Sequence, residues 1–465
     1  MRLASRGWLT LAVVGIGVAI GPLDTAVNIA FPAITAAFTL RLAAIQWVII
    51  CYVLTYASLL LGCGGLGDLI GHRRVFLSGL WWSALSLLLC SMAPTFGWFL
   101  LFRGLQGVGT ALVLSCAPAL VTLAFAEEER PRVLGLYNML TALAFALGPL
   151  LGGWLVARWG WPAVYTFRVP LAVLSVVLVP LLVPRLPAGA DPRRFDLLGA
   201  TLLALGIAGM LLAFNRGYAL GWRALPTLAL AATAAASLGI FVRHAARHEA
   251  PVLSIHPFRE RAFAVTNLAH MLAHGAHFTV FLLVPYYLLN LRRFSAPAGG
   301  LLLAMAPLGM VLASPLGGWL LAVQTARRLS LLGLTLLVGG LLAVSQWHAR
   351  TSAVAVALSL GLQGFGLGLF QVASMDFVMG SLPRSQQGVA GSLSMFTRTL
   401  GVVSCATFGS LFFELLQARY AARWGSKLAF LPAFQGVFWG ATAAAAAAGL
   451  LFWWGFARHR VRRHA

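Results

Sequence analysis

The stretch GLQGVGTAL, residues 104–112, recurs as GLQGFGLGL at residues 361–369, an offset of 257 positions. Two further pairs have nearly the same offset: VLGLYNM at 133–139 matches VAGSLSM at 389–395, and GGLGDLIGHRR at 64–74 matches GGWLLAVQTARR at 317–328. Each match is weak by itself, but three at nearly one offset indicate that the chain contains two related halves. The repeat therefore predicts two similar bundles.

The composition places these halves in a membrane. Hydrophobic residues fill 60% of the 465 positions and charged residues only 9%, against roughly 25% charged residues in soluble domains. The 33 Lys and Arg residues outnumber the 11 Asp and Glu residues, which in a soluble protein would suggest a nucleic-acid partner. Here the Arg residues fall between apolar runs, where they direct membrane topology. We therefore predict a multi-pass membrane protein that does not bind nucleic acid.

Fourteen apolar segments approach the roughly 20 residues that a helix needs to cross the hydrocarbon core. They begin near residues 8, 44, 75, 97, 133, 162, 197, 224, 261, 297, 328, 351, 388 and 432. The predicted fold is an all-α integral membrane protein with two pseudo-symmetric six-helix bundles, residues 1–187 and 261–465. Two additional helices, within residues 188–260, are inserted between the bundles.

The basic residues predict the orientation in the membrane. With the N-terminus inside, 20 Lys and Arg residues lie on that face, 10 on the other, and three within spans. Positive charge favours the cytoplasmic side, so both termini are expected in the cytoplasm and the protein in the cell inner membrane. Parallel repeats of this kind form a cavity near the middle of the bilayer that opens to each side in turn. The architecture predicts a transporter.

A carboxylate, Asp24, lies inside the first predicted span, in the stretch GPLDTAVNIAFPAI at 21–34. A charge at the bilayer centre costs roughly 2.5–3.5 kcal/mol on insertion scales. Asn28 lies four residues on, on the same helix face, and Thr25 and Asn28 are expected to solvate the carboxylate. Because loss of water favours the neutral acid and a nearby Arg favours the charged form, movement of that Arg or entry of a cation would let Asp24 bind and release a proton. The alternative is a static buried ion pair that fixes packing.

Five motifs resemble those of a known family. They are LDTAVNIAFP at 23–32, GDLIGHRR at 67–74, RGLQGVG at 103–109, GPLLGG at 148–153 and TRTLG at 397–401. In combination they resemble the major facilitator superfamily, and within it the fourteen-span drug:proton antiporters, over almost the whole chain. The resemblance implies alternating access, energy from a proton gradient without a cofactor, and multidrug efflux that confers antibiotic resistance. The implied substrates are lipophilic drugs or other amphipathic small molecules.

The resemblance also implies roles for single residues. It makes Arg103, on the adjacent bundle helix, the partner of the proton-coupling Asp24. Asp68 would act as a conformational latch between the bundles by bonding to a neighbouring helix N-terminus or by pairing with Arg73, Arg74 or Arg132. A merely solvated loop acid is the alternative for Asp68.

The stretch GPLLGG resembles the family's antiporter motif in span five. Pro149 would bend this span, and Gly148, Gly152 and Gly153 would let neighbouring helices approach closely. Ordinary small-residue packing is the alternative. Because the family associates this motif with antiport, export is favoured over uptake.

Departures from the family pattern bear on the substrate. Arg168, in GWPAVYTFRVP at 160–170, stands where the family usually has Asn. With Arg103 and Arg398 it gives three basic groups within spans. A cavity lined by these residues and Asn28 has few carboxylates and is a poor host for dications. It suits either lipophilic monocations and neutral drugs, or substrates with an anionic head and an apolar tail. An exporter or flippase of lipids or other amphipathic anions is therefore the alternative function.

Two acids near span ends, Asp376 and Glu414, either belong to the cavity or simply reach interfacial water.

No nucleotide-binding loop of the GxxxxGK type occurs, so ATP is not the expected energy source. The expected partners are the small-molecule substrate, protons and membrane lipids, and we expect the chain to function as a monomer.

Span nine has three histidines on one helical face, His270, His274 and His277. They would assist proton transfer or line the cavity, or form a packed, hydrogen-bonded stripe. The HxxxH spacing, repeated by His244 and His248, also occurs in membrane desaturases, so a diiron oxidase is a remote alternative. Helix rise disfavours it, because it places His270 about 13 Å and His277 about 24 Å from the cytoplasmic face. We therefore expect neither an enzyme nor a metal site.

Overall fold

A computed structural model describes residues 2–122, 124–126, 129–184, 196–248, 251, 256–380, 387–425 and 428–456. The regular secondary structure of these residues is entirely helical. The α-helices are α1 Arg2–Ala19, α2 Ala26–Ala37, α3 Gln46–Ile70, α4 His72–Ser91, α5 Phe96–Thr122, α6 Arg130–Trp159, α7 Ala163–Thr166, α8 Val169–Leu182, α9 Leu197–Leu220, α10 Leu225–Ala245, α11 Arg261–Tyr286, α12 Ala296–Leu321, α13 Ala326–Ser345, α14 Ala353–Gly380, α15 Gln387–Trp424 and α16 Phe430–Phe456.

Twelve helical segments of the described residues are long and apolar enough to cross a membrane. The first of them, Gly7–Ala37, contains most of α1 and all of α2. Helix α3 contributes a shorter apolar helix, Gln46–Leu60, and α9 contributes Leu198–Met210. An α-helix rises 1.5 Å per residue, so about 20 residues are needed to cross a 30 Å core. The prediction of a helical membrane protein is confirmed, whereas the count of fourteen spans stays a prediction.

Helix α4 shows how the sequence separates a lipid face from a protein face. Trp81, Leu85 and Leu88 lie on one side and are 62%, 49% and 43% exposed, whereas Leu80 and Leu87 on the other side are completely buried. The exposed residues are four and three positions apart and the buried ones are seven apart, so each set lies on one helical face. A row of large exposed apolar side chains would be costly in water but matches the hydrocarbon of a bilayer.

The described residues form two compact units. Unit 1 contains those of residues 1–254 and 293–301, and unit 2 contains those of residues 255–292 and 302–465. Helices α9 and α10, the predicted inserted pair, cluster with unit 1, where α9 packs against both α10 and α3. One repeat stretch lies on α5 in unit 1 and the other on α14 in unit 2.

The repeated glycines explain why this stretch occurs twice. A Cβ added at Gly107 would stand 2.7 Å from the carbonyl oxygen of Tyr52 on α3. At the equivalent Gly364, an added Cβ would overlap the carbonyl oxygen of Ala306 on α12. Small residues let helix backbones approach closely in membranes. Each unit therefore packs its second and fourth long helices together through the same repeat position.

A second pair of repeat glycines faces the third long helix of each unit. A Cβ at Gly109 would stand 2.6 Å from the Ser83 hydroxyl oxygen on α4. A Cβ at Gly366 would stand 2.6 Å from the Gly333 carbonyl oxygen on α13. The residue between the two glycines is Val108 in one repeat and Phe365 in the other, and Phe365 packs against a core cluster that includes Leu329 and Leu369.

Candidate functional site

Asp24 lies at an interruption of the first span. Helix α1 ends at Ala19, residues Pro22–Thr25 form a single 3₁₀ turn, and α2 begins at Ala26. Proline at the start of this turn lacks an N–H, which suits the first turn of a helix. The sequence suggested one regular helix here, whereas the structure places Asp24 in a 3₁₀ turn between two α-helices. The Asp24 side chain is 13% exposed.

Arg103 binds the Asp24 carboxylate through both guanidinium Nη atoms. Its Nη1 donates to Oδ1 at 2.8 Å and its Nη2 donates to Oδ2 at 2.9 Å. Its Nε donates to the Val48 carbonyl at 3.0 Å, and the ring of Tyr52 lies 4.4 Å from the guanidinium carbon. A forked ion pair of this type is stronger and more directional than a single contact. Helices α3 and α5 thus fix Arg103, and Arg103 fixes Asp24.

A second arginine, Arg168, contacts the same carboxylate. Its Nη1 donates to Asp24 Oδ1 at 2.8 Å, and its side chain is completely buried. The Arg168 Nε donates to the Val164 carbonyl at 3.1 Å, and Nη1 also reaches the Ile20 carbonyl at 3.3 Å. The sequence analysis singled out Arg168 as a cavity residue and did not predict that it contacts Asp24. The two guanidiniums and one carboxylate leave a net charge of +1.

Gln106 completes the arrangement. Its Nε2 donates to Asp24 Oδ1 at 3.0 Å, and its Oε1 accepts from Arg103 Nη1 at 2.7 Å. Asp24 therefore accepts four hydrogen bonds from three side chains. We call Asp24, Arg103, Arg168 and Gln106 the charge cluster. Buried ion pairs contribute little net stability, because desolvation offsets their attraction, so a cluster of this kind calls for a role other than stability.

The glycines of GPLLGG on α6 pack against the chain around Asp24. A Cβ at Gly148 would overlap the Thr25 hydroxyl oxygen, and one at Gly152 would stand 2.6 Å from the Ala26 carbonyl oxygen. A Cβ at Gly153 would overlap the Ala296 carbonyl, in the part of α12 that belongs to unit 1. The close packing anticipated for these glycines is thus present in unit 1, and its relation to antiport stays a prediction.

Pro149 is linked directly to the residue that follows Asp24. Because proline has no N–H, the carbonyl four residues earlier, that of Phe145, loses its usual intrahelical donor. The Thr25 hydroxyl shares its single proton between this carbonyl, at 2.9 Å, and the Pro22 carbonyl, at 3.0 Å. Side-chain hydroxyls commonly satisfy backbone groups that a proline frees in membrane helices. Thr25 therefore ties α6 to the Asp24 turn. The sequence had suggested that Thr25 solvates the carboxylate, but its hydroxyl bonds instead to these two backbone carbonyls. Asn28 is buried on α2.

Thr25→Val is expected to disconnect this link while preserving side-chain volume. The Phe145 carbonyl would lose the hydroxyl donor, which for a buried group costs about 1–3 kcal/mol. Thermal unfolding of the purified protein in detergent measures the loss. Thr25→Ser keeps the hydroxyl and serves as the control. Equal unfolding temperatures for the Val and Ser variants would show that the hydrogen bond has no stabilising role.

The histidine stripe in unit 2 meets polar groups of α14. His270 Nε2 lies 2.8 Å from the Ser374 hydroxyl, and His277 Nδ1 lies 2.5 Å from the Gln363 Oε1. His274 Nδ1 lies 3.0 Å from the His270 carbonyl. All three rings are buried, and each has one ring nitrogen without a partner among the described residues. The stripe thus combines packed, hydrogen-bonded imidazoles with unsatisfied polar atoms.

The internal repeat relates the stripe to the charge cluster. Gln106 and Gln363 occupy the same position of the two GLQG sequences. Gln106 bonds to Asp24 on the first span of unit 1, and Gln363 bonds to His277 on the first long helix of unit 2. Each unit therefore joins a titratable side chain to the same repeat glutamine. The glutamine that the two repeats share, Gln106 and Gln363, was the sequence signal that connects the charge cluster with the histidine stripe, and it was not recognised from the sequence.

The remaining predicted residues are less informative. Arg73 donates to the Pro180 carbonyl at 2.6 Å, and Arg74 is exposed. The side chains of Asp68 and Asp376 lie outside the described residues, so the latch stays a prediction. Arg398 on α15 is partly exposed and interacts electrostatically with the histidine stripe.

Glu414, the second acid near a span end, is partly exposed on α15. Its place on this helix leaves both sequence interpretations, cavity and interfacial water, as predictions.

Comparison with known proteins shows which family the chain matches. A family model described as the Major Facilitator Superfamily matches residues 8–241 and 266–465. The chain is 30% identical to the multidrug resistance protein Stp of Mycobacterium tuberculosis (strain CDC 1551 / Oshkosh) over 413 residues, 88% of this chain and 76% of Stp. It is 26% identical to the riboflavin transporter RibZ of Clostridioides difficile (strain 630) over 407 residues, 87% of this chain and 88% of RibZ.

A solved structure shares the fold. The crystal structure of a bacterial homologue of the human lysosomal transporter Spinster, in an inward-facing and occupied conformation, aligns with a TM-score of 0.71. The alignment covers 98% of this chain and 97% of that structure at 13% sequence identity. At this identity the likeness concerns the fold alone.

Proposed function

Because the chain belongs to the major facilitator superfamily, a family of transporters, we propose that it is a proton-coupled antiporter that exports lipophilic or amphipathic drugs. Transport would proceed by alternating access, with a proton gradient as the energy source and no cofactor. The similarity to a multidrug resistance protein supports drugs as the substrate class. We further propose fourteen spans, both termini in the cytoplasm, the cell inner membrane as the location, and a monomer as the working form.

The observation that carries the proposal is the charge cluster. Asp24 is a carboxylate inside a membrane span whose oxygens are occupied by Arg103, Arg168 and Gln106. Ionisable groups within spans are costly and usually mark ion pathways. A proton and the two guanidiniums compete for the same carboxylate oxygens, so protonation and this paired arrangement exclude each other. Such competition is what a proton-coupled switch between two conformations requires.

The local structure offers a way to transmit protonation. A neutral Asp24 would lose its ionic attraction to Arg103 and Arg168. The repulsion between the two guanidiniums would then no longer be offset by the carboxylate charge. Asp24 lies in the same 3₁₀ turn as Thr25, whose hydroxyl bonds to the Phe145 carbonyl on α6. A change at the carboxylate would thus reach α6 through one hydrogen bond, three residues before the GPLLGG segment. This path connects proton binding to the helix that the family motif associates with antiport.

A specific observation favours a second substrate class. The charge cluster has a net charge of +1, because Arg168 and Arg103 share a single carboxylate. A cation is repelled by this charge and an anionic head group is attracted. Export of lipids or other amphipathic anions is therefore the alternative function.

Transport into proteoliposomes tests the proposal. Purified protein is reconstituted, a pH gradient is imposed, and uptake of ethidium, a lipophilic cation, is compared with uptake of a fluorescent lysolipid. We expect ethidium to accumulate with the gradient and to leave when nigericin collapses it. Uptake that is insensitive to nigericin would contradict proton coupling. Movement of the lysolipid alone would favour the alternative function.

A further inference from the structure

Three potential metal ligands of unit 1 converge outside the charge cluster. Asp196 directly precedes α9, His244 lies in the last turn of α10, and His248 follows that turn. One ligand atom from each lies within 4.8 Å of the other two. Asp196 is separated from His244 by 48 residues in the chain, so no local sequence motif joins them. The sequence analysis noted the two histidines but expected no metal site.

The geometry of this group is well defined. His244 Nε2 lies 2.6 Å from Asp196 Oδ1, and the rings of His244 and His248 stand 5.0 Å apart, one helical turn from each other. Asp196 Oδ1 also accepts the backbone N–H of Gly199 at 2.7 Å, which orients the carboxylate at the start of α9. Hydrogen bonds of this kind to a ligating carboxylate are typical of the outer shell of metal sites.

We propose that Asp196, His244 and His248 bind one divalent transition-metal ion, with Zn²⁺ as the best fit. Imidazole nitrogen suits Zn²⁺, Cu²⁺ and Ni²⁺, whereas Mg²⁺ and Ca²⁺ prefer sites made of oxygen alone. Zn²⁺ binds His and carboxylate ligands at about 2.0–2.2 Å, which places tetrahedral ligand atoms about 3.3 Å apart. His244 Nε2 and Asp196 Oδ1 are 2.6 Å apart and no pair of ligand atoms is more than 4.8 Å apart, so small side-chain rotations would bring the three atoms to this spacing.

The second histidine distinguishes this site from a simple helix cap. A cap and ion pair for Asp196 need only His244, whereas His248 adds a third ligand atom on the same face. The nearby Arg243 and Arg247 are exposed, so water and salt screen their repulsion of a cation. One bound ion would fasten the start of α9 to the end of α10. This role is structural and independent of the transport mechanism.

Metal titration of the full-length protein tests the inference. The protein is purified without a polyhistidine tag, stripped with a chelator and titrated with Zn²⁺, with bound metal quantified by mass spectrometry and stability by thermal unfolding. We expect one tight equivalent of Zn²⁺ and a Zn²⁺-dependent rise in the unfolding temperature. His248→Gln should weaken that equivalent by more than the roughly tenfold loss typical of outer-shell changes and abolish the rise.

Two further variants complete the test. Asp196→Asn keeps a capping side chain but removes the anionic ligand, and it should lose the tight equivalent while still folding. His348→Gln removes an exposed histidine of unit 2 and should bind Zn²⁺ as the wild type does. The inference is overturned if the wild type has no tight equivalent, or if His248→Gln and His348→Gln bind Zn²⁺ equally.

Discussion

Asp24→Asn is expected to abolish gradient-driven substrate accumulation while leaving substrate exchange intact. Asparagine has nearly the shape of a protonated aspartic acid but cannot release a proton, so the site would no longer respond to the gradient. Exchange of substrate across the membrane does not require net proton movement and should continue. The measurement compares ethidium accumulation under a pH gradient with ethidium counterflow in the same proteoliposomes.

This variant also changes stability, so it needs a charge-matched partner. Asp24→Asn leaves Arg103 and Arg168 buried without a carboxylate, and removing one partner of a buried ion pair costs about 3–5 kcal/mol. The double variant Asp24→Asn/Arg168→Asn restores the wild-type net charge of +1 and places at 168 the residue typical of the family. We expect the double variant to regain part of the stability, because only Arg103 is then left without a carboxylate, and not to regain accumulation. Recovery of accumulation would show that Asp24 acts only through charge balance.

Arg103→Leu is expected to lower the free energy of unfolding by about 3 kcal/mol and to abolish transport. The value is at the lower end for a broken buried pair, because Arg168 still contacts the carboxylate. The change removes both bonds to Asp24 and leaves the Val48 carbonyl and the Gln106 side chain without the guanidinium donor. Unfolding monitored by intrinsic fluorescence in detergent measures the loss.

A matched pair of conservative changes separates geometry from charge. Arg103→Lys keeps the positive charge but lacks the planar fork, so it cannot reach both carboxylate oxygens and the Val48 carbonyl together. Arg158→Lys makes the same change at an exposed arginine near the end of α6. We expect destabilisation at 103 and none at 158. Similar behaviour of the two variants would argue against a positioning role for the Arg103 fork.

The sequence predicted the features that depend on local pattern. Hydrophobic runs indicated membrane helices, and the repeat at 104–112 and 361–369 placed corresponding helices in two units. Both patterns are visible within short stretches of sequence, including the repeat residues Gly107 and Gly364, which the structure places in close helix contacts. The family resemblance led from Asp24 to Arg103, and the structure places these two side chains in contact.

Contacts between segments that are far apart in the chain could not be predicted from the sequence. Arg168 lies 144 residues from Asp24 in the chain, and no periodicity indicates that both point to one place. Thr25 was interpreted as a ligand of the carboxylate because it is adjacent to Asp24. Its hydroxyl instead bonds to the Phe145 carbonyl, which lacks an intrahelical donor because Pro149 has no N–H. Asp196 meets His244 for a similar reason, because the pairing of α9 with α10 sets their separation. Tertiary packing determined each of these partners.

Proton movement measured alongside substrate movement tests the central claim most directly. Proteoliposomes contain a pH-sensitive dye, start without a pH gradient, and receive ethidium on one side. The account predicts that ethidium flowing down its gradient drives protons in the opposite direction in the wild type and drives none in Asp24→Asn. Equal proton movement in the two proteins would contradict the assignment of Asp24 as the proton carrier.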